Sequence, residues 1–289
     1  MQKRVIALGC FDGVHLGHSA LLAAVCEQAQ RLAATAAAIT FDAHPLSVLT
    51  GTAVSMLTDT EERKRLMRLR GIAEVLVLHF DESLRKMPWQ TFAEDLLIGQ
   101  YGAAALVCGE DFRFGAGGEG TAQRLAEFCR TRSLGCTIVP KVCAEGETVS
   151  STRIRALIAQ GEVEKAAKML GHPFTQRGIV CRGNQIGATI GAPTANVPFG
   201  TAMVIPACGV YAAEVTVRDR RYAALVNVGV HPTVRELKSP IAEAWLQDFD
   251  GDLYGEELRI DYLRRIRGER KFDSLEDLKA QLAADRAAL

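Results

Sequence analysis

The chain has 289 residues, of which 48% are apolar and 24% charged, with 34 Lys plus Arg against 34 Asp plus Glu. This is the composition of a globular protein with one large or two medium domains. Zero net charge gives no global pull toward nucleic acid or an anionic membrane, so the expected partners are small molecules held by local charge. Composition carries no signal for an oligomer.

The opening Met1-Gln2-Lys3-Arg4-Val5 runs directly into a strand pattern, with no apolar leader ahead of it. No apolar run is long enough to span a bilayer, and the expected location is cytoplasmic. The eight cysteines form no Cys-x-x-Cys pair, which argues against a zinc site or a redox dithiol. Reduced, mostly buried thiols are expected. The seven-residue spacing of Cys129, Cys136 and Cys143 reads as coincidence, because Pro140 would break a helix through all three.

Val5 to Leu8 reads as a buried strand. A helix is expected over Ser19 to Leu32, with Leu21, Leu22, Val25, Ala29 and Leu32 at helical spacing. Between them lies Gly9-Cys10-Phe11-Asp12-Gly13-Val14-His15-Leu16-Gly17-His18, a strand-to-helix turn with two histidines three residues apart. The free N–H groups and positive dipole end of such a helix attract phosphate. Further strands are expected at Ala36 to Phe41, Val75 to Phe80, Ala103 to Cys108 and Cys136 to Val139. Helices are expected at Thr60 to Arg70, Pro88 to Ile98 and Thr121 to Ser133. This alternation predicts an α/β domain with a doubly wound parallel sheet and ligands beyond the carboxyl ends of its strands.

A helix over Arg153 to Leu170 is expected to stop at Gly171, with Pro173 just beyond. The domain boundary is placed there, giving domains 1–171 and 172–289. Strands without intervening helices follow at Ile179 to Cys181, Gly209 to Arg218, Arg221 to Val228, Ile241 to Asp248 and Leu258 to Leu263. A tight connection is read at Val217 to Tyr222, and a final helix from Ser274 with Asp277 in a capping box. The pattern suggests an antiparallel barrel or sandwich. The acidic stretch Asp248 to Gly255 fails as a calcium loop, since Leu253 stands where Gly is needed and Arg259 where Glu is needed.

Four segments of the first domain fall where strand ends and helix starts converge. They are Gly9 to His18, Thr40 to Pro45, Gly109 to Gly115, and Val149 to Arg155. Each alone has an ordinary reading: a structural histidine pair, a turn, a flexible loop, a helix cap. Their joint occurrence in this order is similar to the bifunctional bacterial riboflavin kinase/FMN adenylyltransferase (FAD synthetase) family, within the His-x-Gly-His nucleotidyltransferases. The matching patterns are Gly-x-Phe-Asp-Gly-Val-His-x-Gly-His and Ser-Ser-Thr-x-Ile-Arg. The family's Pro-His-Pro stands here as Ala43-His44-Pro45.

The resemblance implies that the first domain transfers AMP from ATP to FMN, giving FAD and pyrophosphate. His15 and His18 would act on the ATP phosphates, with Gly9, Phe11 and Gly17 shaping the nucleotide site. Ser150, Thr152 and Arg155 would hold the triphosphate. Asp42, His44 and Asp111 would be flavin or nucleotide contacts without an assigned role. The second domain would be an antiparallel β-barrel riboflavin kinase with a terminal helix. There Gly187 and Gly191 belong to the phosphate loop, Thr194 and Asn196 to an Mg²⁺ and phosphate site, and Glu243 is the base. Asn227 to Thr233, Asp248 to Gly255 and Lys271 to Leu275 also resemble family segments. Two departures stand out: Ala192 replaces the usual aromatic before Pro193, and Ala188 a residue that is often basic. Two weaker readings are an adenylyltransferase with an impaired kinase domain and a non-catalytic flavin- or nucleotide-binding module.

Overall fold

Alternate residues of the first strand face opposite sides, and both sides are buried. Val5 and Ala7 belong to one apolar cluster, and Ile6 and Leu8 to another. A strand covered on both faces belongs inside a helix–sheet–helix sandwich. The computed structural model describes residues 2–182, 194–230 and 240–289. It divides into two units, Met1–Met56 with Thr60–Ser150, and Leu57–Asp59 with Ser151–Leu289.

The first unit runs β1 (Arg4–Leu8), α1 (Leu16–Leu32), β2 (Thr35–Phe41), α2 (Pro45–Thr50), α3 (Thr60–Leu69) and β3 (Glu74–Leu78). It continues through α4 (Glu82–Lys86), α5 (Trp89–Thr91), a π-helix (Phe92–Gln100) and β4 (Ala103–Gly109). Next come the small hairpin β5 (Arg113–Phe114) and β6 (Gly120–Thr121), α6 (Ala122–Thr131), β7 (Gly135–Val139), and the hairpin β8 (Cys143–Ala144) and β9 (Glu147–Thr148). The main sheet is parallel in the order β3-β2-β1-β4-β7. The chain leaves β1 toward β2 on one side and returns as β4 on the other, so the topological switch point lies beside β1.

Leu22 and Val25 of α1 and Leu66 and Met67 of α3 cover one face of the sheet. Phe92 and Leu97 of the π-helix and Leu125 and Phe128 of α6 cover the other. The expected helix over Pro88 to Ile98 is present, but its second part is wound wider, and the Tyr101 N–H reaches back five residues to the Leu96 carbonyl at 3.0 Å. Cys108 and Cys129 are buried, and hydrogen bonding to Cys136 together with burial keeps their thiols protonated. The contact between Cys129 and Cys136 comes from α6 packing on β7 and owes nothing to helical periodicity.

In the second unit, the expected single helix over Arg153 to Leu170 is two: α7 (Ser151–Ala159) and α8 (Val163–Leu170). Gly161 between them takes φ +81°, a left-handed conformation that ends the first helix. Gly171 ends α8 as expected, and its N–H bonds the Ala167 carbonyl at 2.8 Å. Six strands follow: β10 (Phe174–Ile179), β11 (Ala195–Pro198), β12 (Gly209–Val217), β13 (Arg220–Val230), β14 (Pro240–Leu246) and β15 (Glu257–Gly268). They form one antiparallel sheet in the order β10-β15-β12-β13-β14-β11. Its two edges are drawn together into a nearly closed barrel. The Cys181 N–H bonds the Asn196 carbonyl at 2.9 Å, and the Gln176 amide donates to the Val197 and Pro198 carbonyls at 3.1 and 3.3 Å. The buried Tyr262 hydroxyl holds that amide from its other end at 2.6 Å.

The first barrel strand lies five residues earlier than expected, at Phe174–Ile179, and the sequence reading missed the four-residue β11 altogether. Arg218 and Asp219 form the tight connection of β12 and β13, both at positive φ, as a two-residue hairpin matching strand twist requires. The terminal helix α9 (Leu275–Ala287) begins with the Ser274 hydroxyl accepting the Asp277 N–H at 3.1 Å. It is tied to the barrel by the buried Asp285, paired with Arg267 at 2.8 Å, and by Arg286 over the Trp245 ring at 4.3 Å. No described helix is long and apolar enough to cross a membrane.

Gly115 shows how tightly the first unit packs. Its φ is +72°, and a Cβ there would lie 2.5–2.7 Å from the Trp89 Cβ and backbone. Gly115→Ala is expected to cost about 3 kcal/mol from strain and overpacking. Gly146, at φ +82° with nothing within 4 Å, bears only the conformational cost, and Gly146→Ala is expected to lose about 1 kcal/mol. Urea denaturation midpoints of the two variants measure the difference.

Candidate active sites

Beyond β1 the backbone is forced into a compact turn. Phe11, Gly13 and Val14 all take positive φ, at 54°, 78° and 39°, and Phe11 and Val14 are fully buried. For a β-branched valine that is a strained conformation, held by its surroundings. The turn delivers His15 as the N-cap of α1, which begins at Leu16, three residues before the expected start. Its Nδ1 accepts the His18 N–H at 3.2 Å, as a Ser or Asp cap oxygen would. That bond leaves the proton of a neutral His15 ring on Nε2. Gly17 sits close under the same ring, where a Cβ would lie 3.1 Å from His15 Cε1 and push the ring by a few tenths of an ångström.

The His15 and His18 rings stack at 3.6 Å with 12° between planes, and Phe11 meets His18 edge-on at 5.1 Å. The His18 Nδ1 is buried with no hydrogen-bond partner among the described residues. A buried orphan of this kind, beside the unladdered N–H groups of a helix first turn, suits an anionic ligand. Burial, then the neighbouring His15, Arg63 and Arg70, hold the His18 pKa well below its usual 6.5.

The end of β2 lies next to this turn. The Thr40 hydroxyl donates to the Cys10 carbonyl at 2.6 Å. Arg63 of α3, a residue the sequence reading did not select, donates from Nη1 to the Cys10 carbonyl, Thr40 Oγ1 and the Phe41 carbonyl. Asp42 follows β2; its carboxylate meets His79 Nδ1 at 2.5 Å and accepts the Phe80 N–H at 3.2 Å. His44 caps α2, its Nδ1 accepting the Leu46 N–H at 3.2 Å, so this imidazole is used structurally on one edge. Asp111, after β4, is exposed and 3.7 Å from Lys141. Gly9 closes β1 against the Phe11 ring, where a Cβ would come within 3.2 Å. Ser150 ends the first unit, while Thr152 and Arg155 lie on α7 in the second.

The second constellation is set by strand register. Asn196 on β11 is directly opposite Glu243 on β14, and Glu243 is directly opposite Asn227 on β13. Cross-strand partners share a face, so the carboxylate lies in a row between two carboxamides. Ala195, Ala242, Ala244 and Val226, one residue along, are buried on the opposite face of the sheet; within the polar row Asn196 is buried as well, and Glu243 and Asn227 are partly buried. Asn227 belongs to a segment with family resemblance, but the sequence alone did not place it beside Glu243. Thr194 borders a cavity of about 190 Å³ lined by Val180, Trp245, Phe249 and Tyr254. Gly187 and Gly191, with Ala188 and Ala192, lie outside the described residues.

Residues 1–153 match the family model described as FAD synthetase, and residues 170–289 the one described as riboflavin kinase. The chain is 35% identical over 285 residues to the bifunctional riboflavin kinase/FMN adenylyltransferase of Listeria monocytogenes, covering 98% of this chain and 90% of that one. It is 36% identical over 283 residues to the Escherichia coli K12 protein of the same description, covering 97% and 90%. The crystal structure of a Streptococcus pneumoniae chain described as a macrolide-efflux protein superposes with a TM-score of 0.88 at 33% identity, covering 99% and 93%.

The depressed His18 pKa has a signed consequence for stability. Below pH 6.5 the unfolded chain takes up a proton that folded His18 resists, so this group lowers stability as pH falls through that window. His79 acts in the opposite sense. Its hydrogen bond to Asp42 raises its pKa, so its contribution is present at low pH and lost as pH rises, though exposure screens it. His18→Gln is expected to flatten the fall in urea midpoint between about pH 7.5 and 5.5. An unchanged slope would show that His18 titrates normally.

Proposed function

Because this chain belongs to the bifunctional riboflavin kinase/FMN adenylyltransferase family, we propose that each reaction is carried by one of the two constellations described. The protein phosphorylates riboflavin to FMN with ATP and then adenylylates FMN with a second ATP, giving FAD and pyrophosphate. The residue roles, the metal, the domain limits and a cytoplasmic location are the parts proposed here.

Adenylyl transfer is assigned to the turn after β1. An FMN phosphate oxygen attacks the α-phosphorus of ATP, the bond to the bridging oxygen of the β-phosphate breaks, and pyrophosphate leaves. The attacking oxygen is already anionic, so no general base is needed; positioning and charge stabilisation supply the catalysis. His15 donates from Nε2 and His18 from its ring to phosphate oxygens, and the first-turn N–H groups at Leu16 and Gly17 add to this. Gly9 and Phe11 shape the floor. Ser150, Thr152 and Arg155 hold the triphosphate, and Asp42, His44 and Asp111 remain flavin or nucleotide contacts. The observation carrying this reading is the stacked histidine pair, with one imidazole capping the helix and a buried orphan nitrogen on the other.

Phosphorylation is assigned to the barrel's polar row. Glu243 takes the proton of the ribityl hydroxyl as that oxygen attacks the γ-phosphorus, and ADP leaves. Its support is the direct cross-strand placement of Asn196 and Asn227 on either side of Glu243. Thr194 and Asn196 offer uncharged oxygens, and Mg²⁺ bound by few protein ligands takes the rest of its shell from phosphate and water. These donors fit the ion, which when bound would neutralise phosphate charge. With Thr194, Asn196 and Glu243 present, the kinase is active despite Ala188 and Ala192. The functional domains are 1–171 and 172–289, dividing close to the start of the second family match.

His18→Ala is expected to cut FAD formation by about a hundredfold or more while FMN formation continues. Glu243→Ala is expected to do the reverse, with supplied FMN still converted to FAD. A chromatographic time course with riboflavin, FMN, ATP and Mg²⁺ measures both. Loss of both steps in either folded variant would overturn the two-site assignment.

A further inference from the structure

Arg63 is 1% exposed, yet it forms no ion pair among the described residues. Its Nη1 donates to the Cys10 carbonyl at 3.2 Å, to Thr40 Oγ1 at 2.9 Å and to the Phe41 carbonyl at 2.7 Å. Its Nε is buried and unpartnered. A buried cation is ordinarily matched by a carboxylate, because desolvation of an isolated charge is costly. The adjacent buried Glu62 is engaged by Arg65 at 2.7 Å. Arg63 is therefore satisfied by neutral oxygens alone, at the carboxyl ends of β1 and β2.

Arg70 repeats the pattern. Seven residues on, and so on the same side of the helical path, it is half-buried. It donates to the Ser19 hydroxyl at 2.7 Å and the Leu66 carbonyl at 3.1 Å, again with no carboxylate among the described residues. Both guanidinium charges are felt at His18. Two unneutralised cations thus stand behind the one turn whose helix start and orphan nitrogen already suit an anion.

We propose that Arg63 is a positioning residue for adenylyl transfer, locking the ends of β1 and β2 behind the His15–His18 turn. Its charge and that of Arg70 are the standing counter-charge for the ATP polyphosphate and the departing pyrophosphate. The proposal rests on the reading of that turn as the ATP-phosphate site. It gives a reason for Arg63 to form no ion pair among the described residues, the buried Asp12 of the same turn included: a permanent partner would cancel the charge before substrate arrived.

The test uses the full-length protein with Arg63→Gln, Arg63→Lys, Arg70→Gln and His18→Ala. Michaelis constants for ATP and FMN are measured in the adenylylation step, with inhibition by added pyrophosphate and thermal unfolding alongside. Arg63→Gln and Arg70→Gln are expected to raise the ATP and pyrophosphate constants about tenfold, with the FMN constant within about twofold. Arg63→Lys, which keeps the charge, is expected to recover most of the pyrophosphate affinity but not the full turnover, since one ammonium replaces a planar fork. A folded Arg63→Gln with unchanged ATP and pyrophosphate constants overturns the proposal. So do equal rises for ATP and FMN, which would indicate a merely structural role. If Arg63→Gln does not fold, Arg70→Gln decides: no ATP-selective effect there overturns the shared counter-charge. Retained adenylylation in His18→Ala would instead sink the reading of the turn itself, so the two failures are distinguishable.

Discussion

Under the proposed assignment, the imidazole of His15 joins the fold to the chemistry of the first unit. An ordinary Ser or Asp cap would start α1 equally well. Imidazole differs in having a second nitrogen on the far side of the ring. One nitrogen accepts the His18 N–H and fixes the helix, which in a neutral ring leaves the proton on the other. Much of the local sequence follows from that choice. The absence of a side chain at Gly17 leaves the ring room to lie across it, and His18 stacks on the ring one turn along. Phe11 and Val14 accept positive φ so that β1 reverses quickly enough to place the cap. The strain is sustained because both side chains are fully buried, next to the switch point of the sheet.

The second unit solves its positioning problem with register instead of a turn. Glu243 lies on the face of β14 opposite the buried Ala242, Ala244 and Leu246. A slip of one residue in β14 would invert every side chain and bury the carboxylate in the barrel. The short β11 is held in register from several directions: by β14 along its length, by the bridge from Cys181, and by the Gln176 amide clamped under Tyr262. The buried polar network at the barrel seam therefore also holds Asn196 opposite Glu243. Helix α9 packs on the same side of β14, through Arg286 over Trp245, two residues from Glu243.

What the sequence made legible, and what it hid, divides along the range of the interactions involved. Strand and helix order in the first unit was readable because apolar periodicity is local. So was the Ser274 cap, since its partner is three residues away. The start of α1 was missed because histidine is not an expected cap, and His15 reads as a ligand before it reads as a structural group. The break at Gly161 was missed because the apolar pattern runs on through it, and one glycine in left-handed geometry outweighs that pattern. The four-residue β11 has no periodicity to detect. Arg63 gives no signal of its own in a helix that also carries Lys64, Arg65 and Arg68. Only packing distinguishes it from those neighbours, and only sheet register brings Asn227 beside Glu243.

Under the proposed assignment, the contrast between the two constellations follows from the nucleophile each would serve. A phosphate monoester arrives already ionised, so a carboxylate beside it would repel both the attacking group and the triphosphate. Around the first turn the polar groups include imidazoles, backbone N–H groups and guanidinium ions, and the turn's own carboxylate, Asp12, is buried. Asp42 lies at the rim, its charge offset by His79. A sugar-alcohol hydroxyl arrives neutral and must lose a proton as it attacks, so the second constellation needs a base. There Glu243 stands in strand register between two residues with uncharged amides, Asn196 and Asn227. What marks the first is a pair of arginines, Arg63 and Arg70, with no ion pair among the described residues; what marks the second is a carboxylate that strand register aligns between Asn196 and Asn227.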